Sequence, residues 1–268
     1  MRNPVPRIRS LTALWPALRS APLSLLLLAL PAAAAAAPLT ALEQRWLQGI
    51  WPVVSHAKAR QLPLDIVVQP QPTPQAAPLS LGFVDGRCKL VLSMRGNPEA
   101  EATLARIAPQ LLDATLELMA AHELGHCHRY LDGVWKGGLP AGFVANEPQG
   151  LDAQQRARYR EMQSSRREEA YGDLVGLAWT RARHPALYAA LQAWLCAERA
   201  ADRIPGSPHD TLAWVRLAEK PEALEAPGGS DSIFAAAAPL WARGLVGSAD
   251  GADGSADGSE AGDAAAGD

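Results

Sequence analysis

The chain has 268 residues, of which 48% are hydrophobic and 20% are charged. A chain of this length and apolar content can bury one good core, so we expect a single folded domain rather than two. The formal net charge is −3 at pH 7, and nothing indicates the basic face that a nucleic-acid-binding protein presents.

The first 36 residues have the order of a secretory signal peptide. Four arginines precede a short apolar run at residues 23–30, and Pro31 and an alanine tract follow it. This order is typical of such signals, and the apolar run is too short to span a bilayer comfortably. We predict cleavage after Ala36 and export to the periplasm, or secretion, with no membrane span afterwards. An uncleaved N-terminal anchor is the alternative.

Three cysteines, Cys88, Cys127 and Cys196, follow the predicted signal. In an oxidising compartment two of them would pair and one would be left over. The alternative is three buried thiols that behave as small apolar residues. The sequence by itself leaves both the choice and the pairing open.

The predicted folded domain covers residues 37–246 and begins with a helix and a strand. Apolar residues recur at near-helical spacing across residues 39–59, which predicts an amphipathic helix interrupted near Pro52. The short apolar run at residues 64–69 predicts a strand, and a proline-rich loop follows it.

A β-hairpin is predicted next. Two alternating apolar runs, residues 79–84 and 87–93, flank Asp85 and Gly86. An Asp-Gly pair at this place predicts a tight turn, which needs a positive φ at its centre. The two strands should therefore pair side by side in opposite directions, and the small sheet of the domain is expected to be antiparallel.

The rest of the domain is predicted to be mostly helical, with ends set by proline, glycine and capping residues. The expected helices cover residues 97–107, 109–132, 152–183, 186–201 and 211–217. Residues 134–150 are rich in glycine and proline and are expected to form a long active-site loop. The acidic tail at residues 247–268 has no large apolar residue and is expected to be disordered. Strands followed by helices predict the α+β class.

The chemistry of the chain is indicated by His122, Glu123 and His126, which lie in the sequence His-Glu-Leu-Gly-His. Side chains four residues apart share one face of a helix, so both imidazoles can reach one metal ion. The carboxylate of Glu123 would project beside them and deprotonate a metal-bound water, whose pKa zinc lowers to near 7. The alternative is a pair of exposed helix histidines without a metal.

A catalytic zinc needs a third protein ligand, and acids on the long predicted helix can supply it. Glu169 and Asp173 are four residues apart and share a face. Glu169 could therefore bind the metal while Asp173 accepts the second N–H of a ligand histidine. Glu168 is an alternative ligand, and a solvated acidic turn that balances Arg166 and Arg167 is the other interpretation.

These two motifs, HELGH at residues 122–126 and EAYGD at residues 169–173, resemble those of the gluzincin zinc metallopeptidases. Within that clan they are most similar to the family of periplasmic and membrane heat-shock and CAAX-prenyl-type proteases, whose members usually carry alanine where this chain has Gly172. The resemblance implies a zincin-like fold, in which the sheet packs on a pair of metal-binding helices. It also implies a zinc cofactor, hydrolysis of peptide bonds, Glu123 as general base and Glu169 as third ligand.

The same family places a histidine and an arginine after the second motif, where they stabilise the tetrahedral intermediate. In this chain the matching candidates are His209, as a catalytic residue, and Arg216. A donor or cation aimed at the developing oxyanion is what the reaction needs. The alternative is that residues 208–211 only cap the last predicted helix.

A metzincin arrangement fits the chain less well. It would use Asp132 as the third ligand, but it needs a glycine three residues after the second histidine, where this chain has Arg129. Without that break the helix carries Asp132 away from the metal. His128 points to the opposite side of the helix from His126 and is expected to lie behind the ligands or at the surface.

By analogy with such peptidases, an extended substrate would add as a strand to a free sheet edge. Residues 89–93 are the candidate for that edge. Cys88 would then lie near the metal-binding helix, which makes a Cys88–Cys127 disulfide a testable pairing.

We therefore expect an exported zinc metallopeptidase that acts on peptides or proteins. Two alternatives stay open. An exported binding or chaperone-like module could keep zinc only as a structural staple, in a closed four-ligand site. A metal-dependent amidase could act on cell-wall peptides instead of proteins.

Overall fold

A computed structural model describes residues 38–73, 76–135, 148–201, 204–230 and 232–246. The predicted signal peptide, the central part of the predicted loop and the predicted tail lie outside these described residues. Those three expectations therefore stay predictions.

The first helix, α1 (Ala41–Ala59), begins at a capping box. The hydroxyl of Thr40 accepts a hydrogen bond from the Glu43 N–H, and the Glu43 carboxylate accepts one from the Thr40 N–H. The prediction that Pro52 interrupts this helix is wrong, because the helix continues through it. A proline removes one intrahelical hydrogen bond, and the buried side chains on both sides of it, Ile50 and Val53 among them, hold the helix against the core.

A three-stranded sheet follows, built from β1 (Leu64–Pro70), β2 (Leu79–Val84) and β3 (Arg87–Arg95) in the order β1-β3-β2. The predicted hairpin is confirmed, since β2 and β3 pair antiparallel and Asp85 and Gly86 both have positive φ, at 51° and 72°. The predicted antiparallel sheet is wrong, because β1 pairs with β3 in the parallel direction. Apolar alternation defines each strand, but it does not specify the neighbour with which that strand pairs.

The strand order also corrects the expected substrate edge. Residues 89–93 belong to β3, which is the central strand, so both sides of it are already hydrogen-bonded. Of the described strands, β1 and β2 form the two edges, and β2 is the one that packs beside the helix carrying His122.

Every predicted helix after the sheet is present, with small differences at the ends. These helices are α2 (Pro98–Arg106), α3 (Leu112–Leu131), α4 (Ala153–Arg183), α5 (Tyr188–Ala201) and α6 (Leu212–Leu217). Asn97 caps α2 and a capping box of Asp152 and Gln155 opens α4, as their residue types indicate. Short 3-10 turns are found at Pro109–Leu111, Pro185–Leu187, Pro221–Leu224 and Pro227–Gly229.

A seventh helix, α7 (Ile233–Val246), is absent from the sequence-based prediction. It contains Pro239, Gly244 and four successive alanines, residues that do not mark a helix with one large apolar face in the sequence. It packs on α4, and Trp241 donates a hydrogen bond of 2.8 Å to the carbonyl of Arg167. Proline and glycine usually mark the end of a helix, so their presence inside this one hides it from a prediction based on sequence.

The protein is therefore α+β and mostly helical, with α3 and α4 at its centre. Helix α1 and the sheet pack on α3, while α7 covers α4. None of the helices in the described parts of the chain is both long enough and apolar enough to cross a bilayer.

Candidate metal centre

Two histidines on α3 and one glutamate on α4 converge at the centre of the fold. Ligand atoms of His122, His126 and Glu169 all lie within 4.8 Å of one another. Nε2 of His122 is 3.2 Å from one Glu169 carboxylate oxygen, and Nε2 of His126 is 3.4 Å from the other. The four-residue spacing on α3 thus brings both rings to one side of the helix, as the sequence predicts.

Glycines allow α3 and α4 to approach closely enough for this convergence. A Cβ added at Gly125 would lie 3.2 Å from the Cα of Gly172, and one added at Gly172 would lie 2.8 Å from two ring atoms of His122. A methyl group has no room at Gly172 unless the imidazole moves. The glycine at this position of the EAYGD motif therefore fits the ring of His122 against the backbone of α4.

A buried network of charges holds His122. Nδ1 of His122 lies 2.9 Å from Oδ1 of Asp173, which is fully buried. Arg199 of α5 donates to both oxygens of this carboxylate, at 2.9 and 2.5 Å, and the Thr211 hydroxyl donates to it at 2.5 Å. Asp173 thus contacts the imidazole at the atom where a carboxylate that orients a metal ligand would lie.

Arg199 and Thr211 were not predicted from the sequence. Arg199 follows Leu191 and Leu195 at four-residue steps, and both leucines are buried. A cation that continues an apolar helix stripe needs a buried anion opposite it. That signal was available, but the sequence does not say which acid lies opposite.

His126 has different surroundings. Cys127, the next residue, forms a disulfide with Cys88 of β3, which confirms that pairing and leaves Cys196 as a free, half-buried thiol. The Trp135 ring meets the His126 ring edge to face, with centroids 5.1 Å apart and planes at 88°. The sheet and the end of α3 therefore surround this second imidazole.

The hydrogen bonds at the centre favour a protonated His122 beside an ionised Glu169. Burial alone would lower the pKa of His122, but hydrogen bonds to Asp173 and Glu169 outweigh it and raise that pKa to about 10. Burial would likewise raise the pKa of Glu169, and hydrogen bonds from both histidines instead hold it well below its ordinary value. A divalent cation would compete with the proton on these ligands, so metal binding should release protons.

A cavity of about 410 Å³ opens beside the three residues. Glu123 lines it from α3, Leu79 and Leu81 line it from β2, and Trp194 and Arg199 line it from α5. Burial raises the pKa of Glu123 above its ordinary value, against the charges of the two histidines. A carboxylate with a raised pKa in this position is suited to accept and return a proton.

The neighbouring glutamate, Glu168, is turned away from this centre. It is fully buried and accepts two hydrogen bonds from Arg129, at 2.7 and 3.1 Å. Arg129 also lies over the ring of Trp241, 4.4 Å from its centroid. Glu168 therefore pairs with a cation, and Glu169 is the residue that faces the histidines.

The structure brings His209 to the cavity but not Arg216. Nε2 of His209 lies 3.7 Å from Oε2 of Glu169, and the side chain is 65% exposed. Asp210 anchors this loop, since its side chain accepts from the Gly206 N–H at 2.8 Å and its carbonyl accepts from Arg166 at 2.6 Å. Among the described residues, the cations that line the cavity are Arg106, Arg199 and the histidines, and Arg216 is exposed elsewhere on α6.

The residues of the metzincin alternative lie apart from the three ligands. Asp132 follows the last turn of α3 and lies 3.2 Å from Nδ1 of His128. His128 stacks on Phe234 of α7, with ring centroids 4.1 Å apart. These positions agree with the expectation that both side chains point away from the ligand face.

The donor set fits a metal ion. Two imidazole nitrogens and one carboxylate oxygen are a combination that zinc binds in catalytic sites, with a further position left for water or substrate. Within the described ranges, no other group of three or more histidine, cysteine, aspartate or glutamate residues converges in this way. No family model, curated protein or solved structure compared with this chain matches it.

Proposed function

We propose that the chain is a zinc-dependent peptidase of the gluzincin kind, with a zincin-like arrangement of sheet and helices. The observation that carries this proposal is the convergence of His122, His126 and Glu169 within 4.8 Å beside an open cavity. The third ligand comes from a second helix, as in the HExxH and ExxxD pattern, and Asp173 lies behind His122 as that pattern implies.

Each residue of the centre has a role in this proposal. His122, His126 and Glu169 would hold the metal, and Asp173 would keep the His122 ring oriented. When bound there, zinc lowers the pKa of a water to near 7 and polarises a substrate carbonyl. Glu123 would accept the proton that the attacking water loses and would pass it to the leaving amine.

The open side of the cavity supports a catalytic site over a structural one. A structural zinc has four protein ligands, whereas three residues converge here in the described part of the chain. His209 lies beside Glu169 and would donate to the developing oxyanion. This arrangement favours a peptidase over an exported module in which zinc has only a structural role.

An extended substrate would bind along β2. Among the described strands it pairs only with β3, and Leu79, Ser80 and Leu81 line the cavity. Peptides commonly add to a free strand edge through main-chain hydrogen bonds. The substrate edge is thus assigned to β2 in place of residues 89–93.

Export to the periplasm is part of the same proposal.

The test compares zinc content and peptide cleavage in the wild type and in Glu123→Gln. The variant keeps all three ligands, so it should bind zinc normally while its cleavage rate falls about 10³-fold, the usual order for loss of a general base. Asp132→Asn is the matched control, because it removes a carboxylate from the end of the same helix, and it should cleave as the wild type does.

A panel of casein, unstructured peptides and cell-wall peptides would identify the substrate class. Cleavage of cell-wall peptides alone would favour the amidase alternative. Equal cleavage by the wild type and Glu123→Gln would contradict the proposed mechanism.

A further inference from the structure

The two histidines of the centre differ in what orients their rings. His122 has Asp173 behind it, 2.9 Å from Nδ1. Nδ1 of His126 is buried and has no hydrogen-bond partner among the described residues. A ligand imidazole must be held at one angle, because the contacts behind it tune both its orientation and its affinity for the metal.

Aromatic rings surround His126. The Trp135 ring lies 5.1 Å from it at 88°, and the His122 ring lies 4.6 Å from it at 86°. Edge-to-face contacts of this kind are favoured because the positive edge of one ring meets the negative face of the other. A rotation of the His126 ring would lose the contact with Trp135.

Trp135 is itself held in place by two further rings. It stacks on Tyr130 with centroids 4.1 Å apart and planes at 18°, and Tyr130 stacks on Phe83 at 4.9 Å and 7°. Phe83 lies on β2 directly opposite Cys88 of β3, whose disulfide partner is Cys127. The stack of Phe83, Tyr130 and Trp135 therefore runs from the sheet to the ring of His126.

We propose that Trp135 is a positioning residue for His126, and that the three-ring stack does for this imidazole what Asp173 does for His122. The inference rests on the proposed function only in requiring that the centre binds a metal. It needs no particular substrate, and it concerns a ring that is half-buried beside the cavity.

The experiment measures metal affinity and ligand geometry without substrate. The full chain and its variants are titrated with Zn²⁺ against a chromophoric chelator, and with Co²⁺ while the visible ligand-field spectrum is recorded. Trp135→Leu should weaken Zn²⁺ binding about tenfold, the usual order for loss of a contact behind a ligand, and should change the Co²⁺ spectrum. Trp135→Phe keeps a flat ring and should restore most of the affinity.

Trp194→Leu is the matched control. Trp194 lines the same cavity from α5, and it makes no ring contact with His126 within the described structure. Its replacement should leave Zn²⁺ affinity and the Co²⁺ spectrum unchanged. Melting temperatures of the metal-free variants show whether any loss of affinity reflects unfolding, and Trp135→Phe serves as the folded comparison.

Three results would contradict the inference. An unchanged Zn²⁺ affinity in Trp135→Leu would overturn it while leaving the proposed function intact, and so would an equal loss in Trp194→Leu. A wild type that binds neither Zn²⁺ nor Co²⁺ would overturn both. A wild type that binds metal and responds to Trp135→Leu but cleaves no peptide would support the inference and contradict the proposed function.

Discussion

The two histidines of the candidate centre lie one helical turn apart, yet different parts of the protein support them. His122 is held by hydrogen-bonded charges from α4, α5 and the loop before α6. His126 is flanked by a disulfide to the sheet and by stacked rings at the end of α3. The first kind of support depends on charge, and the second on a covalent bond and on ring shape.

This difference means that the two sides of the site should respond to different treatments. A buried ion pair loses its value when one partner is removed, because the other stays behind without compensation. A disulfide acts chiefly through the unfolded chain and is removed by reduction. The proposed metal affinity should therefore fall when either side is changed independently, and the following predictions use this.

The largest loss of stability is expected when the disulfide between the sheet and α3 is removed. Replacing Cys88 and Cys127 together by alanine removes a bond between residues 39 apart in the sequence. Loss of a cross-link that closes a loop of this size should lower the free energy of unfolding by about 4 kcal/mol. Urea denaturation measures the change, and Cys196→Ser, which leaves the bond in place, is the control. If the double variant bound Zn²⁺ as tightly as the wild type, support of His126 from the sheet would be unnecessary.

A somewhat smaller loss is expected on the charge side from Asp173→Ala. The change leaves Arg199, whose side chain is only 18% exposed, without its partner. The free energy of unfolding should fall by about 3 kcal/mol, at the lower end of the range for broken buried pairs, because the cavity admits water to Arg199. Thr211→Val removes one hydrogen bond to the same carboxylate and should cost about 1 kcal/mol. If Asp173→Ala and Thr211→Val lost equal free energy of unfolding, the ion pair between Asp173 and Arg199 would not be the main source of this stability.

An intermediate effect is expected from Gly172→Ala, which acts on His122 by crowding. The new methyl group would meet the imidazole at 2.8 Å, so overpacking should lower the free energy of unfolding by about 1 to 2 kcal/mol, after the helix preference of alanine is included. Zn²⁺ affinity should fall as well. Gly176→Ala crowds the carbonyl of Leu118 at 2.9 Å instead. It should lose stability without losing affinity, and a loss of affinity in both would point to helix separation.

The smallest effect concerns the ion pair that joins α1 to the end of β3. Glu43 is buried and accepts hydrogen bonds from Arg95 at 2.8 and 3.0 Å, and these lower the pKa of Glu43 against its burial. A depressed pKa in the folded state contributes stability above the unfolded value of about 4.3, and that stability is lost as the pH falls through the folded value. Since Arg95 is partly exposed, we expect about 1 kcal/mol.

The measurement for this pair is the free energy of unfolding at pH 6 and at pH 3. The drop between the two values should be about 1 kcal/mol smaller in Glu43→Gln than in the wild type. A larger drop in Glu43→Gln would mean that Glu43 is not stabilised as an anion. The centre itself should be insensitive to this change, because the hydrogen bonds of Glu43 run to Thr40 and Arg95, which do not belong to it.

How much was predictable from the sequence depends on how local each feature is. His122 and His126, and likewise Glu169 and Asp173, lie four residues apart on one helix, so their shared faces follow from helix geometry. Arg199 reaches Asp173 from another helix, and no local spacing records that contact.

The sheet shows the same limit. The hairpin was predictable from its Asp-Gly turn, whereas the parallel pairing of β1 with β3 joins segments separated along the chain by β2. The residues 89–93 were therefore assigned to an edge although they are central. Helix α7 was missed for a different reason, since it contains Pro239 and Gly244, which usually mark helix ends.

The position of the disulfide in the chain implies an order of assembly. Cys88 and Cys127 both precede α4, so their bond needs no part of the chain that carries Glu169. We expect the sheet and α3 to become a cross-linked template on which α4 then docks, with metal uptake as the last event. Trapping free thiols during refolding should find these two cysteines already oxidised before zinc is bound.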